Sequence, residues 1–423
     1  MTDNPFFEAW DTPFELPPFE RIRPEHFPPA FDRGMAEQLA EIAAIAGSGA
    51  APDFANTIEA LERSGRLLRQ VSRVFHNLDA SATNEALQAL DRDYAPKLAA
   101  HQMKIALDPG LFARIDQLYR GRDGVGLSPE QRRLLERHHL RLVRSGAQLD
   151  REEKARMSAI SQRLASLHTA FGQNVLHDED EWRLGLEEGE LDGLPDFARA
   201  AAATAARERG LDGRYVITLA RASIEPFLAF STRRELRQAA YEAWTARGTH
   251  QGAHDNAPLI REIMALRAEQ ARLLGYQSYA AYRLDDTMAK TTEAADALLR
   301  QVWEPAKQRA GEERSDLAAA ALADGLNQPL EPWDWRYYTE KVRQQKYAFD
   351  EAAVKPYFVL ETWSRPLSIR PGASSASALS RGRTARPITQ MCAPGKCETK
   401  PAGRPGSFCA TTSRGPASAP EPG

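Results

Sequence analysis

REEKARMSAISQRLASLHTAFGQNV, residues 151–175, is the stretch that decides the fold class. Its apolar side chains recur every three or four residues, which is the period of an α-helix with one buried face. That face consists of Met157, Ile160, Leu164, Leu167, Phe171 and Val175. Asp150 and Glu153 have the spacing of a capping box at the helix start. Because each buried large apolar side chain is worth about 1.5–3 kcal/mol, the helix must pack against other helices.

Similar helical signals continue on both sides of this stretch. Residues that cap helices, each followed three positions later by Glu or Gln, predict helix starts at Asn56, Ser128 and Thr232. Asn256 predicts another start, with Gly275 in the position that ends the helix. These signals cover residues 33–360, which we interpret as one helical body.

Two further helices are predicted near the end of this body. One runs from about Thr292 to Ala323, and its period predicts that Leu298, Leu299, Val302 and Trp303 point inward. The other, Trp333 to Tyr347, is rich in aromatic residues.

Residues 182–186 and 215–219 are the most strand-like runs, because aromatic or β-branched residues there are bounded by Gly and Asp. We predict a small hairpin, with an alanine-rich helix over 195–209 between its strands. The predicted fold class is therefore all-α, mainly helical, with at most a small accessory β-hairpin or sheet.

The first 32 residues are rich in Pro and Phe. LPPFERIRPEHFPPAF (16–31) cannot form one long helix, since each Pro removes a donor and restricts the residue before it. We predict an extended arm whose apolar side chains pack on the body, namely Phe14, Phe19, Ile22, Phe27 and Phe31. The alternative is a mobile terminus.

Composition excludes several classes of protein. The formal net charge is −3, and no run of about 18 apolar residues predicts a membrane span. The acidic, Pro-interrupted start lacks the basic region and apolar core of a signal peptide, so the cytoplasm is the expected location. Phosphate-loop and dinucleotide motifs are absent, and no basic, aromatic-interleaved pattern predicts nucleic-acid binding.

The amino-acid composition of the chain changes after about residue 360. Residues 1–360 carry 46 basic and 55 acidic side chains, whereas residues 361–423 carry 9 and 3. Residues 361–423 contain 9 Pro, 7 Gly and 9 Ser, a composition that predicts a disordered tail. All three cysteines, Cys392, Cys397 and Cys409, lie there; their spacing lacks a fourth ligand for structural zinc, so free thiols are expected.

The nine histidines do not form the usual zinc-peptidase motif. None is followed by Glu with a second His four positions later. His138 and His139 are adjacent and face different sides of a helix. His250 and His254 have the i, i+4 spacing, but Gly248 and Gly252 disfavour a helix there, so a solvated loop is the preferred interpretation over a metal pair.

An acidic run and an aromatic run are two further candidate sites in the sequence. Residues 177–181, HDEDE, are acidic enough for a cation but match no metal-loop signature, and a solvated acidic turn is preferred. Residues 332–338, PWDWRYY, place two Trp and two Tyr within seven positions. They can line a groove or fill a core, and core or interdomain packing is the preferred interpretation.

Several segments in collinear order resemble the amino-terminal half of the M3 family of zinc metallopeptidases. They include LPPFERIRPEHFPPAF (16–31), ANTIEALE (55–62), VFHNLDASATN (74–84), AFGQNVLHDED (170–180), RGTHQGAHDNAPLIREIMALRAEQARLLGY (247–276), DDTMAKT (285–291), PWDWRYY (332–338) and VKPYF (354–358). The resemblance implies a cytoplasmic peptidyl-dipeptidase with a helical ellipsoidal fold that admits short peptides. It also implies a zinc held by two His of a His-Glu-x-x-His helix and by a later Glu.

No position in this sequence matches those ligands, so the expected sets of catalytic and metal-binding residues are both empty and no substrate-binding residue is assigned. We interpret the chain as cut off before the zinc site, with residues 361–423 read out of frame. Three functions remain open: a zinc-dependent peptidase that is inactive on its own, a non-catalytic helical module that binds peptides or proteins, and a product without function. Short oligopeptides are the expected partners, with neither nucleic acid nor membrane.

Overall fold

Helices make up most of this protein. The structure is a computed structural model that describes residues 3–12, 15–250, 252–348, 354, 357–358, 378–381, 392–398 and 406–411. The first seven α-helices of this described part are α1 Phe27–Ala46, α2 Ala60–Arg63, α3 Arg66–Ala82, α4 Glu85–Ala106, α5 Pro109–Gly121, α6 Pro129–Arg144 and α7 Arg151–Glu181. The next seven are α8 Asp196–Arg207, α9 Arg221–Phe230, α10 Arg234–Thr245, α11 Ala257–Leu273, α12 Tyr279–Leu284, α13 Thr292–Ala323 and α14 Pro332–Tyr347. The predicted all-α fold class is confirmed.

The chain divides into two compact units. The first comprises described residues within Met1–Asp11, Pro17–Asn174 and Asp255–Leu298, and the second those within Thr12–Leu16, Val175–His254 and Leu299–Gly423. The helical period of residues 33–360 gave no sign of this division, because it reports local structure rather than which helices meet. Among the described helices, none is long and apolar enough to cross a membrane.

Two of the predicted capping boxes are present, and a third is not. At α6, the Ser128 hydroxyl accepts from the Gln131 N–H at 3.2 Å and the Gln131 side chain accepts from the Ser128 N–H, as predicted. Asp150 and Glu153 make the same reciprocal pair at α7. The prediction for Asn56 is wrong.

Asp53 takes the capping position three residues earlier than expected. Its carboxylate accepts a hydrogen bond from the Asn56 N–H at 2.7 Å, and the Asn56 side-chain oxygen accepts one from the Asp53 N–H at 3.0 Å. Asn56 is therefore the third residue of a π-helical turn, Phe54–Glu59, that leads into α2. A reciprocal box with a carboxylate satisfies two backbone donors, which explains why this earlier start is adopted.

Two other predicted caps differ in their bonding. The Thr232 hydroxyl donates to the Asp192 carboxylate at 2.9 Å, and α10 begins at Arg234 without a side-chain cap. Asn256 precedes α11 as predicted, but its side-chain amide donates to the Phe171 carbonyl instead of capping. In both cases a tertiary partner competes successfully for the polar side chain.

The amino-terminal arm packs on the first unit, as expected from its apolar residues. Ile22, Phe27 and Phe31 are buried, and the Phe75 ring meets the Phe27 ring edge-on at 5.2 Å between centroids. Phe31 also stacks on Tyr94 at 4.9 Å. The predicted boundary at residue 32 is wrong, however, because α1 already begins at Phe27 with prolines in its first turn, where the missing N–H costs nothing. Phe14 lies outside the described residues.

The face predicted on α7 is confirmed over most of its length. Its buried members Met157, Ile160, Leu164 and Leu167 belong to the core of the first unit, and three of them pack with α11. Phe171, in contrast, is 37% exposed. Arg156 pairs with Glu269 and Arg163 with Glu262, which shows that the two helices run antiparallel. Because α11 begins at residue 257, it does not extend far enough along α7 to cover Phe171.

The inward face predicted for α13 is wrong. Leu298, Leu299, Val302 and Trp303 are 63%, 68%, 61% and 63% exposed in the described chain. The buried part of α13 is its other end, where Leu317, Ala320 and Ala321 pack with Tyr338 of α14. The helical period identifies an apolar stripe but does not identify what covers it.

We expect two Leu→Ala substitutions to separate these environments. Leu135 in α6 is completely buried, so Leu135→Ala should lower the free energy of unfolding by about 2–5 kcal/mol. Leu298→Ala removes the same atoms from an exposed site and should cost less than about 0.5 kcal/mol. Urea unfolding of both variants measures the difference, and equal losses would show that Leu298 is covered in solution.

The predicted hairpin is confirmed. Strands β1 Arg183–Leu186 and β2 Tyr215–Thr218 pair antiparallel, with Leu184 opposite Ile217, and α8 lies between them in the chain as predicted. Both strands border the core of the second unit through buried residues such as Leu186 and Ile217.

The tail contains regular structure that its composition did not predict. Strands β3 Ala378–Arg381, β4 Cys392–Glu398 and β5 Gly406–Thr411 form an antiparallel sheet in the order β3-β4-β5. The prediction of a disordered tail is therefore wrong for these strands, because antiparallel pairing satisfies backbone groups whatever the side chains are. Elsewhere, residues 361–423 lie outside the described residues, and their out-of-frame origin stays a prediction.

Candidate functional site

The 423-residue sequence has no His-Glu-x-x-His motif. Among the residues that the structure describes, no three His, Cys, Asp or Glu side chains are grouped so that they could hold a metal ion. A catalytic zinc requires three protein ligands. The residues present therefore do not fit the zinc that the resemblance implies, and no chemical step can be assigned to it here.

His250 and His254 lie outside the helices, between α10 and α11, as predicted. His250 Nε2 lies 3.7 Å from the Asp178 carboxylate. The His254 ring instead stacks on the His177 ring at 3.8 Å between centroids. The two histidines thus contact different partners, and the loop does not present them as the i, i+4 pair of a helix.

The acidic run at residues 177–181 anchors this loop. The run forms the last turn of α7, so its interpretation as a solvated turn is wrong. The Asp178 carboxylate accepts from the Gly248 N–H at 2.6 Å, and Glu179 forms an ion pair with Arg247. Gly248 has a φ of 68°, a left-handed conformation that glycine adopts without strain. Asp178 and Glu179 therefore have partners within the fold, and the composition of the run could not identify these partners.

His138 and His139 face different neighbours, as predicted for adjacent positions on α6. His139 stacks on Tyr119 at 3.9 Å and lies 3.1 Å from the Asp116 carboxylate. His138 is buried and bridges two charged groups. Its Nε2 lies 2.7 Å from Glu62 Oε1, and its Nδ1 lies 3.0 Å from Arg141 Nη2.

This bridge fixes the hydrogen positions on His138. Because a guanidinium can only donate, Nδ1 of His138 accepts and Nε2–H donates to Glu62. Burial lowers the pKa of His138, and the charge of Arg141 lowers it further, against the opposing influence of Glu62. Burial likewise lowers the pKa of His101 and of His168. The folded protein therefore favours neutral histidines at these positions.

We expect stability to fall as the pH is lowered through about 6.5, the ordinary pKa of histidine in the unfolded chain. Below this pH the unfolded chain binds protons that the folded chain takes up only at lower pH, so acidification favours unfolding. His138→Gln removes one of these groups and should lose less stability between pH 7.5 and pH 5.5 than the parent chain. Urea unfolding at both pH values tests this, and an unchanged decline would contradict it.

The aromatic segment PWDWRYY begins α14 and surrounds a buried carboxylate. Asp334 is completely buried and pairs with Arg234 at 2.8 Å and with Arg237 at 3.0 Å. It also accepts from the Glu331 N–H at 3.1 Å. Burial alone would raise the pKa of Asp334, but these three donors outweigh it and hold the pKa below its ordinary value. Arg237 is 2% exposed, so the network lies inside the second unit.

The same segment borders an open groove of about 740 Å³. Its lining includes Tyr241, Trp244 and Trp335, and the Arg336 guanidinium lies 5.3 Å from the Trp244 ring centroid. Arg336 also pairs with Glu225 at 3.3 Å. Core packing is therefore confirmed for Tyr338, which is buried, whereas Trp335 lines the groove.

Sequence reasoning missed two features: the Asp334 network and a cluster of arginines around α6. An Asp within an aromatic run was the signal for the first. For the second, Arg137, Arg141 and Arg144 recur at helical spacing on α6. A stripe of this kind marks a single charged face.

Known proteins match this chain over most of its length. Residues 227–368 match the model of Peptidase family M3. The chain is 39% identical over 363 residues to the Dipeptidyl carboxypeptidase of Salmonella typhimurium, covering 86% of this chain and 53% of that protein. The Escherichia coli Dipeptidyl carboxypeptidase is 39% identical over 362 residues, with 85% and 53% covered. Oligopeptidase A of Salmonella typhimurium is 30% identical over 352 residues, with 82% and 52% covered.

The chain spans about half the length of these curated relatives. The residues matched by the family model include α10 to α14, and with them the aromatic segment of α14. These matches make the chain a relative of the M3-family peptidases, similar over most of its length to the dipeptidyl carboxypeptidases and the oligopeptidases A.

Proposed function

We propose that this chain is the helical amino-terminal portion of a zinc-dependent dipeptidyl carboxypeptidase that releases dipeptides from the carboxyl ends of short peptides. The observation that carries the proposal is the 39% identity to two dipeptidyl carboxypeptidases over 363 and 362 residues. The mainly helical fold agrees with it. The proposed location is the cytoplasm, and the name of a plant relative, Probable cytosolic oligopeptidase A, supports this.

In this proposal the chain supplies peptide-binding surface and no catalytic residue. The zinc and its ligands are assigned to the part of the relatives that this chain does not match. The role left for these 423 residues is to bind and orient short peptides.

A chimera tests the proposal. The matched part of the Salmonella typhimurium enzyme is replaced by the corresponding residues of this chain, and dipeptide release from an acetylated tetrapeptide is measured. We expect release that a chelator abolishes, with the unmodified enzyme as the positive control. A chimera that folds and binds zinc but releases no dipeptide would reject the proposal.

A second candidate is a non-catalytic helical module that binds peptides or proteins. The aromatic groove beside Trp244 and Trp335 favours it, because aromatic side chains provide large contact areas in peptide-binding sites. Peptide binding by the full chain, together with an inactive chimera, is the result that this candidate expects.

A further inference from the structure

Two adjoining clefts in the first unit concentrate positive charge. Their volumes are about 340 and 730 Å³, and both are lined by Glu62, His138, Arg141 and Ser145. Six arginines line the two clefts against two carboxylates: Arg69, Arg73, Arg137, Arg141, Arg144 and Arg283 against Glu62 and Asp286. Residues 1–360 as a whole carry more acidic than basic side chains. The charge of these clefts is therefore opposite to that of the surrounding protein.

Two of these arginines form ion pairs within the fold. Arg137 pairs with Asp286 at 2.5 Å. Arg144 pairs with Asp285 at 3.0 Å, and its guanidinium lies 4.4 Å from the Tyr282 ring centroid. These contacts join α6 to the region of α12 and form the wall of the smaller cleft.

Arg141 is held differently. Its Nη2 donates to His138 Nδ1 at 3.0 Å, and His138 in turn donates to Glu62 at 2.7 Å. Because His138 is 3% exposed, this chain of bonds fixes one edge of an otherwise exposed guanidinium. In the part of the chain that the structure describes, no carboxylate lies within ion-pair distance of Arg141 or Arg283. Neither guanidinium is therefore part of a direct ion pair there, although Glu62 and Asp286 also line the clefts.

We propose that these clefts bind the carboxylate group of a short peptide, with Arg141 as the principal contact and Arg283 beside it. A guanidinium matches a carboxylate with two parallel hydrogen bonds, and holding one edge in place reduces the entropy lost on binding. The larger cleft has the volume of a site for a small ligand. The inference rests on the proposed function in one respect, that the ligand is a peptide.

The carboxylate can come from the carboxyl end of the peptide or from an acidic side chain. Isothermal titration calorimetry of the full chain with three acetylated tetrapeptides separates these sources: tetraalanine with a free carboxyl end, the same peptide amidated, and an amidated peptide with Glu at its third position. We expect the free-acid peptide to bind at least about tenfold more tightly than the amidated tetraalanine, since charged hydrogen bonds are the stronger ones. Tight binding of the Glu peptide would support the side chain as a source.

Arg141→Gln should weaken binding of the free-acid peptide by about tenfold or more. The affinity of Arg141→Lys should lie between those of the parent chain and Arg141→Gln. Arg133→Gln is the matched control, because Arg133 is exposed on the same helix, pairs with Glu136 at 3.5 Å and does not line either cleft. Circular dichroism checks that each variant is folded. Should Arg141→Gln fail to fold, Arg283→Gln provides the same comparison.

The proposal would be overturned if the amidated tetraalanine bound as tightly as both peptides that carry a carboxylate, or if the folded Arg141→Gln variant bound those peptides undiminished. It would also be overturned if all three peptides failed to bind. If the chimera nevertheless releases dipeptides, the proposed function stands without this site. Carboxylate-dependent binding with an inactive chimera would support the site and reject the proposed function.

Discussion

The purified chain of 423 residues, incubated with zinc and an acetylated tetrapeptide, is expected to release no dipeptide above the uncatalysed background. A zinc peptidase needs three protein ligands and an open position on the metal. This sequence lacks the His-Glu-x-x-His motif, and the described residues provide no group of three ligands. Since enzymes accelerate reactions by about 10⁶-fold or more, the difference from an active chimera should be very large.

A chelator control distinguishes metal-dependent release by this chain from background release. Dipeptide release by the full chain that a chelator abolishes, and that stays with the protein through successive purification steps, would refute it. Zinc binding by equilibrium dialysis gives an independent measurement. We expect no tight stoichiometric binding, and His250→Ala should leave the result unchanged, because His250 and His254 contact different partners.

Replacing Asp334 by Asn is expected to lower the free energy of unfolding by about 3–5 kcal/mol, because it leaves a buried arginine without its counter-charge. Arg237 is 2% exposed and donates to Asp334 at 3.0 Å. Its remaining acceptors are the Ser231 carbonyl at 2.8 Å and the Trp333 carbonyl at 3.3 Å. Neutral carbonyls do not balance its charge. Denaturant unfolding monitored by circular dichroism measures the effect.

Asp316→Asn is the matched control for this substitution. Asp316 lies on α13 and pairs with Lys346 of α14, and both side chains are more than 40% exposed. Exposed ion pairs contribute about 0–1 kcal/mol, so the control should remain close to the parent chain. If Asp334→Asn were as mild as Asp316→Asn, the buried network would not stabilise the fold as we infer.

Local signals in the sequence were enough for the helices, the hairpin and several helix starts. The period of α7 reports its own backbone, and the box at Ser128 uses atoms only three residues apart. Such features depend on neighbouring residues and therefore appear in the sequence. The apolar stripe of α13 was equally visible, but its exposure depends on distant parts of a chain, and the inward orientation predicted for Leu298 and Trp303 was wrong.

The arginine clefts could not be predicted for the same physical reason. Arg137 and Asp286 are 149 positions apart, and Glu62 is 76 positions from His138. No periodicity connects such residues before the helices pack. The metal site was different: a motif search needs only local spacing, which is why the absence of His-Glu-x-x-His could be read from the sequence itself.

The exposed end of α13 has a spectroscopic consequence. Trp303 is 63% exposed, beside Leu299 and Val302. An indole in water emits at longer wavelengths than one in an apolar environment, and dissolved iodide quenches it more readily. Trp303 is one of seven tryptophans in the chain, so the fluorescence of the protein contains its contribution. An apolar molecule that covered this stripe should shift that contribution to shorter wavelengths and shield it from the quencher, without a label attached to the protein.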